Sequence, residues 1–257
     1  MGRTLFTEKL YLDNIESAYY TTFDAKVIGI VGQKIILDRT LFYPIGGGQN
    51  WDTGTLLGPN GIQNVTEVRG RDAVEHYIEA DHQLEVGDEV RGSIDWGRRH
   101  AHMRMHTAQH VVSGVAYELF DGARTVGNQI NIETSRIDFK PISFDEEKLD
   151  ALSSTSNSFL NNEIEVVSQT MTRAEINAQM PAERTNMDLV PSHVEELRII
   201  KIGDMIDMCP CAGTHVRNLS EIGNMNIIGK KSKGKGTQRI TYELESLETV
   251  QPLTNVI

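Results

Sequence analysis

At 257 residues, with 39% hydrophobic and 24% charged side chains, the chain has a globular composition, and its length allows two domains. No apolar run reaches membrane-spanning length, and residues 1–20 lack the basic start and apolar middle of an export signal, so the cytoplasm is the expected compartment. A net charge of -11 argues against general nucleic-acid binding, while two cysteines set one residue apart rule out a disulfide framework.

Residues 1–95 read as one domain of short strands separated by Gly, Pro and Asn. The strand candidates are Ala25–Val31, Gln33–Arg39, Gln63–Val68, Ala73–Glu79 and Asp88–Ile94, each rich in β-branched residues and bounded by turn residues. Gly58-Pro59-Asn60-Gly61 marks a turn, and Met1–Thr22 is read as one more strand with a short helical stretch. Such a series without a long helix predicts a small antiparallel β-barrel. Within it, Tyr43-Pro-Ile-Gly-Gly-Gly-Gln49 exposes backbone N–H groups to a close neighbour. It lacks the Gly-Lys-Ser/Thr ending of a nucleotide-binding loop.

Residues 96–257 change pattern and predict an α+β domain. Arg98 to Leu119 fits a helix in which Gly114 marks close packing. Strands are expected at Asn128–Phe139, Ile164–Gln169, Leu197–Ile202, Asn224–Gly229 and Gln238–Leu244. A helix from about Phe144 to Asn162 opens with Ser143 and Glu146 at capping-box spacing, and Thr172–Gln179 repeats that pattern with Glu175.

Two half-sites lie in this second region. His106-Thr-Ala-Gln-His110 sets two imidazoles four positions apart, on one helix face. In Cys211-Ala-Gly-Thr-His215 small residues let a tight turn bring sulfur and imidazole together. Three imidazoles and a thiolate form a tetrahedral set for one zinc ion. Cys209 is read as a small buried residue, since His215 follows Cys211 at the spacing that mirrors the His pair. A zinc deaminase would need a second cysteine where Thr214 stands.

Basic residues flank both half-sites. Arg98, Arg99 and Arg104 lead into the His pair, while Lys230, Lys231, Lys233, Lys235 and Arg239 fall within ten residues. Either run alone reads as a solvated surface. Two such runs on an acidic protein point to an anionic substrate.

The segments Phe42–Gln49, Met103–His110, Ser135–Phe139, Cys211–Val216, Glu221–Gly223 and the Lys-Gly run ending at Arg239-Ile240 resemble, in order, the free-standing alanyl-tRNA editing proteins of the AlaX type, medium-length subtype. That family is related to the editing domain of alanyl-tRNA synthetase and to the second additional domain of threonyl-tRNA synthetase. Ala212 departs from the family's more common Gly. The resemblance implies an N-terminal barrel, a zinc-containing editing domain, and hydrolysis of tRNA(Ala) mischarged with serine or glycine. Thr125 is the expected partner of the substrate hydroxyl, with Thr107 and Gln49 as weaker candidates beside Gly47 and Gly48, and the basic residues are expected on tRNA phosphates. The competing reading is a tRNA-binding module with a structural zinc. No membrane partner is expected, and the oligomeric state is left open.

Overall fold

The structure, a computed structural model, describes residues 5–79, 82–187, 190–204 and 206–254. It divides into two compact units, Met1–His100 with Thr249–Ile257, and Ala101–Glu248. The division differs from one at residue 95 in that the final segment groups with the first unit. There Leu253 N donates to Tyr19 O at 2.9 Å, and the Trp96 indole donates to Val250 O at 2.6 Å.

The first unit runs through β1 (Glu8–Lys9), β2 (Thr22–Val31), β3 (Lys34–Leu37), β4 (Arg39–Thr40), β5 (Gly54–Gly58), β6 (Gly61–Arg69), β7 (Glu75–Ile78) and β8 (Glu89–Ile94). Six of these close a barrel in the order β2-β3-β7-β6-β5-β8, with every pair antiparallel. Alternation along β2 sends Phe23, Ala25 and Val27 inward. They meet Ile35, Leu37, Leu56, Val65, Val68, Ile78, Val90 and Ile94 in one core. Gly92 on β8 leaves room for the Phe23 ring, which a Cβ there would meet at 2.2 Å. β5 was not among the expected strands, and Met1–Thr22 contributes the two-residue β1 plus two short 3-10 turns among its described residues.

His76 is a polar group sealed inside this barrel. Its Nδ1 faces the Ile35 carbonyl at 3.0 Å and its Nε2 faces the Thr40 hydroxyl at 2.8 Å. A carbonyl only accepts, so Nδ1 carries the proton and Nε2 accepts from Thr40. Burial pushes the His76 pKa down to about 4, against the opposing effect of the Ile35 hydrogen bond. Below the ordinary imidazole value the unfolded chain takes up a proton that the folded chain refuses. Stability contributed by His76 is therefore intact above pH 6.5 and lost as pH falls toward 4, to a limit of about 3 kcal/mol. Urea midpoints at pH 7.5 and 4.5 are expected to fall further for the wild type than for His76→Gln; equal falls would contradict this.

The second unit contains most of α1 (Trp96–Leu119), then β9 (Arg124–Gln129), β10 (Thr134–Lys140), α2 (Glu146–Leu160), β11 (Val166–Thr172), α3 (Arg173–Gln179), β12 (Glu196–Ile202), β13 (Asp207–Pro210), β14 (Met225–Gly234) and β15 (Thr237–Leu244). They form an antiparallel sheet in the order β14-β15-β10-β9 and a second one in the order β11-β12-β13. The single strand expected at Asn128–Phe139 is a hairpin. Its turn is closed by side chains, with Asn131 Nδ2 donating to Thr134 O at 3.1 Å and Ser135 Oγ accepting from Asn131 N at 3.1 Å.

Helix caps follow the same chemistry with one correction. Asp145, not Ser143, caps α2 by accepting from Lys148 N, whereas Thr172 and Glu175 complete the expected capping box on α3. Gly114 is a close-approach glycine, because a Cβ there would sit 2.0 Å from Ile206 O.

Candidate metal centre

His106 and His110 project one turn apart from α1, and Cys211 and His215 come from the loop that follows β13. Arg198 shapes that loop. Its Nη1 donates to Cys211 O at 2.7 Å and to Gly213 O at 3.2 Å, while its own carbonyl accepts from Cys211 N at 3.1 Å. Gly213 N then donates to Cys211 Sγ at 3.3 Å. These bonds turn the sulfur toward the helix.

The four ligand atoms lie within 4.8 Å of one another. Cys211 Sγ is 3.6 Å from His106 Nε2 and 3.3 Å from His215 Nε2. Donors about 2.3 Å (sulfur) and 2.0–2.1 Å (nitrogen) from a tetrahedral ion stand about 3.6 Å apart, so the donor set fits a zinc-type ion. His106, His110 and His215 are buried, and Cys211 is half-buried.

Burial opposes charge on Cys211, yet the adjacent His106 and His215 outweigh it and hold its thiol well below the ordinary value. The thiolate so favoured is the ligating form. Burial and the nearby His106 push His215 well below the usual imidazole value, leaving it neutral. Cys209 behaves oppositely, as burial and the neighbouring Asp207 push its thiol up to about 12. Burial also acts against charge on His110, but Cys209 and the Asp207 carboxylate raise its pKa well above the ordinary value.

The remaining expected site residues are placed unevenly. Thr107 is fully buried. It donates to Met103 O at 2.8 Å and accepts from Val216 N at 3.2 Å, with His215 Nδ1 at 3.1 Å. Its one proton is committed, so it orients His215 rather than meeting a substrate. Thr125, on β9, shares a 2.6 Å hydrogen bond with Ser113 of α1. Gln109 Nε2 donates to Ser113 Oγ at 2.7 Å and Asn128 Nδ2 donates to Gln109 Oε1 at 3.1 Å, which makes a polar row beside the ligand stripe.

In the first unit, Gln49 is fully buried and so is not open to a ligand. Gly46 and Gln49 exchange backbone hydrogen bonds around Gly47 and Gly48, whose φ values of 56° and 88° explain the glycines. Within the first unit these glycines supply the turn geometry.

The basic residues divide sharply. Arg99 is fully buried in the first unit, paired with Asp52 at 2.6 Å, and cannot reach phosphate. Arg98 is half-buried, with Nε donating to Trp51 O at 2.8 Å. Arg104 is spent on Ile222 O and Glu245 O, and Arg239 on both oxygens of Asp138. Lys230 Nζ donates to Phe144 O at 3.0 Å. Lys231, Lys233 and Lys235 are exposed on the β14–β15 hairpin.

Asp207, Ser113 and Arg198 were missed from sequence. For Asp207 a signal existed: Asp207, Cys209 and Cys211 recur at period two, which puts them on one side of an extended segment.

Residues 197–241 match the family model described as the threonyl and alanyl tRNA synthetase second additional domain, and residues 8–98 match that of the class II (A) tRNA synthetases. The chain is 36% identical over 245 residues to the alanyl-tRNA editing protein AlaX-M of Methanosarcina barkeri, covering 93% of this chain and 99% of that one. It is 36% identical over 242 residues to the AlaX-M protein of Saccharolobus solfataricus, with the same coverage. The alanine–tRNA ligase of Pyrococcus abyssi is 32% identical over 233 residues, 88% of this chain but 25% of the ligase. The chain belongs to the AlaX-M family of alanyl-tRNA editing proteins and is related to part of alanine–tRNA ligases. Among the described residues, no helix is long and apolar enough to cross a membrane.

Proposed function

We propose that this protein is a trans-acting aminoacyl-tRNA deacylase that hydrolyses the ester of tRNA(Ala) mischarged with serine or glycine. The observation that carries the reading is the convergence of His106, His110, Cys211 and His215 within 4.8 Å, in a chain matching editing proteins along nearly its whole length. Zinc is the ion best suited to one thiolate and three imidazoles. When bound, it would supply Lewis-acid polarisation of an ester carbonyl or of water.

The substrates follow from what an alanine pocket cannot reject. Glycine is smaller and serine adds only a hydroxyl, so discrimination by binding reaches only about 1–3 kcal/mol and a second hydrolytic sieve is needed. In this reading Thr125 meets the serine hydroxyl, and Ser113, Gln109 and Asn128 hold Thr125 in place. Alanine, lacking the hydroxyl, would forgo that contact and leave Thr125 with Ser113 as its partner.

Exposed Lys231, Lys233 and Lys235 are assigned to tRNA phosphates. Phosphate contacts make binding salt-sensitive, and the Lys233→Ala, Lys235→Ala double variant is expected to lower the log–log salt slope by about 1.5. An unchanged slope in filter-binding titrations would reject the assignment.

A second reading is favoured by one observation: four protein donors fill a tetrahedron, as structural zinc sites do. The protein would then be a tRNA-docking module. Deacylation assays on Ser-, Gly- and Ala-tRNA(Ala), with His106→Ala as control, separate the two. Selective hydrolysis of the first two supports the enzyme; no hydrolysis of any by metal-loaded protein supports the module.

A further inference from the structure

Two of the cluster's imidazoles are held from behind by partners of different kinds. His110 Nδ1 lies 2.7 Å from Asp207 Oδ2, a buried carboxylate. His215 Nδ1 lies 3.1 Å from Thr107 Oγ1, a neutral hydroxyl. Cys209 Sγ is 3.4 Å from both Asp207 Oδ2 and His110 Nδ1. A carboxylate only accepts, so His110 carries its proton on Nδ1 and Nε2 is the nitrogen left for an ion.

Local sequence explains how the carboxylate arrives there. Gly114 lies one turn beyond His110, and its missing Cβ admits the Ile206 carbonyl to the helix surface. Asp207 is the next residue, at the start of β13.

His110, Asp207 and Cys209 also place ligand atoms within 4.8 Å of one another. Their spacing nevertheless argues against a second metal centre. Two nitrogen or oxygen donors on one tetrahedral ion stand about 3.3 Å apart, whereas 2.7 Å is the length of a charge-assisted hydrogen bond.

We propose that Asp207 is a positioning residue for His110, with Cys209 steadying its carboxylate, and that this makes the four ligands unequal. A carboxylate drawing on Nδ1–H fixes the ring and strengthens Nε2 as a donor. A hydroxyl does so less. Of these two, His110 is the better anchored and His215 the one that yields more readily. The inference rests on the metal reading proposed above and is independent of whether the protein deacylates tRNA.

The test is Co(II) titration of the full chain against a competing chelator. Asp207→Asn is expected to bind about 10- to 100-fold more weakly than wild type, and Cys209→Ser, which keeps a donor to Asp207, to stay close to it. His215→Ala is expected to retain cobalt better than His110→Ala. A change below about twofold for Asp207→Asn, or the reverse order of the two His variants, overturns the proposal. Nitrogen-15 NMR of the zinc-loaded wild type tests it without any variant, and a fold defect would not mimic the signature. The expected spectrum shows His110 protonated at Nδ1 and metallated at Nε2; coordination through Nδ1 overturns the assignment. Wild-type protein that takes up no cobalt and no zinc overturns the metal reading itself.

Discussion

Replacing Arg99 by methionine is expected to destabilise the first unit by about 3–5 kcal/mol, as removing one partner of a buried ion pair does. Arg99 and Asp52 are both fully buried. The guanidinium also donates to Ala18 O at 2.8 Å and to Leu41 O, while Asp52 Oδ2 accepts from Tyr43 N at 2.7 Å. Methionine would fill much of the volume but leave the Asp52 charge unpaired and two carbonyls without their donor. Adding Asp52→Leu should recover part of the loss, because a well-packed apolar pair avoids desolvating either charge. Urea unfolding of the two singles and the double checks this. A double variant that loses the sum of both singles would show that the ion pair is not the coupled unit.

The second large effect concerns the proposed metal ligands. Cys211→Ala removes the only thiolate from the four-donor set. An ion bound to the folded state alone stabilises it by about 4 kcal/mol when free metal is a thousand times its dissociation constant. Chelation should therefore lower the wild-type melting temperature strongly and leave that of Cys211→Ala almost unchanged. Equal sensitivity of the two proteins to chelator would mean that the ion sits elsewhere.

Much of this was legible in the sequence where one physical rule acted alone. β2 alternates cleanly because one face is buried, and the His pair is visible because a helix repeats near four. Where two rules competed, the reading failed. β5, Gly-Thr-Leu-Leu-Gly, has glycine at both ends and only three residues between, too few to show alternation. The β9–β10 hairpin turns on the Asn131 and Ser135 side chains rather than on Gly or Pro, so it looked continuous.

Charged residues were the least legible. Arg99 reads as surface until Asp52, 47 positions away, is known to face it. Arg104 and Arg239 likewise serve carbonyls and a carboxylate that only the fold brings near. Thr107 shows the same difficulty inside the ligand motif, where its hydroxyl orients His215 instead of awaiting a substrate.

The central claim is that hydrolysis depends on an ion held by His106, His110, Cys211 and His215. It is tested most directly by the rate of serine release from Ser-tRNA(Ala), measured on protein stripped of metal and again after one equivalent of zinc is restored. The expected result is release at the buffer rate without metal and recovery on addition. Undiminished release by protein shown by elemental analysis to be metal-free would contradict it.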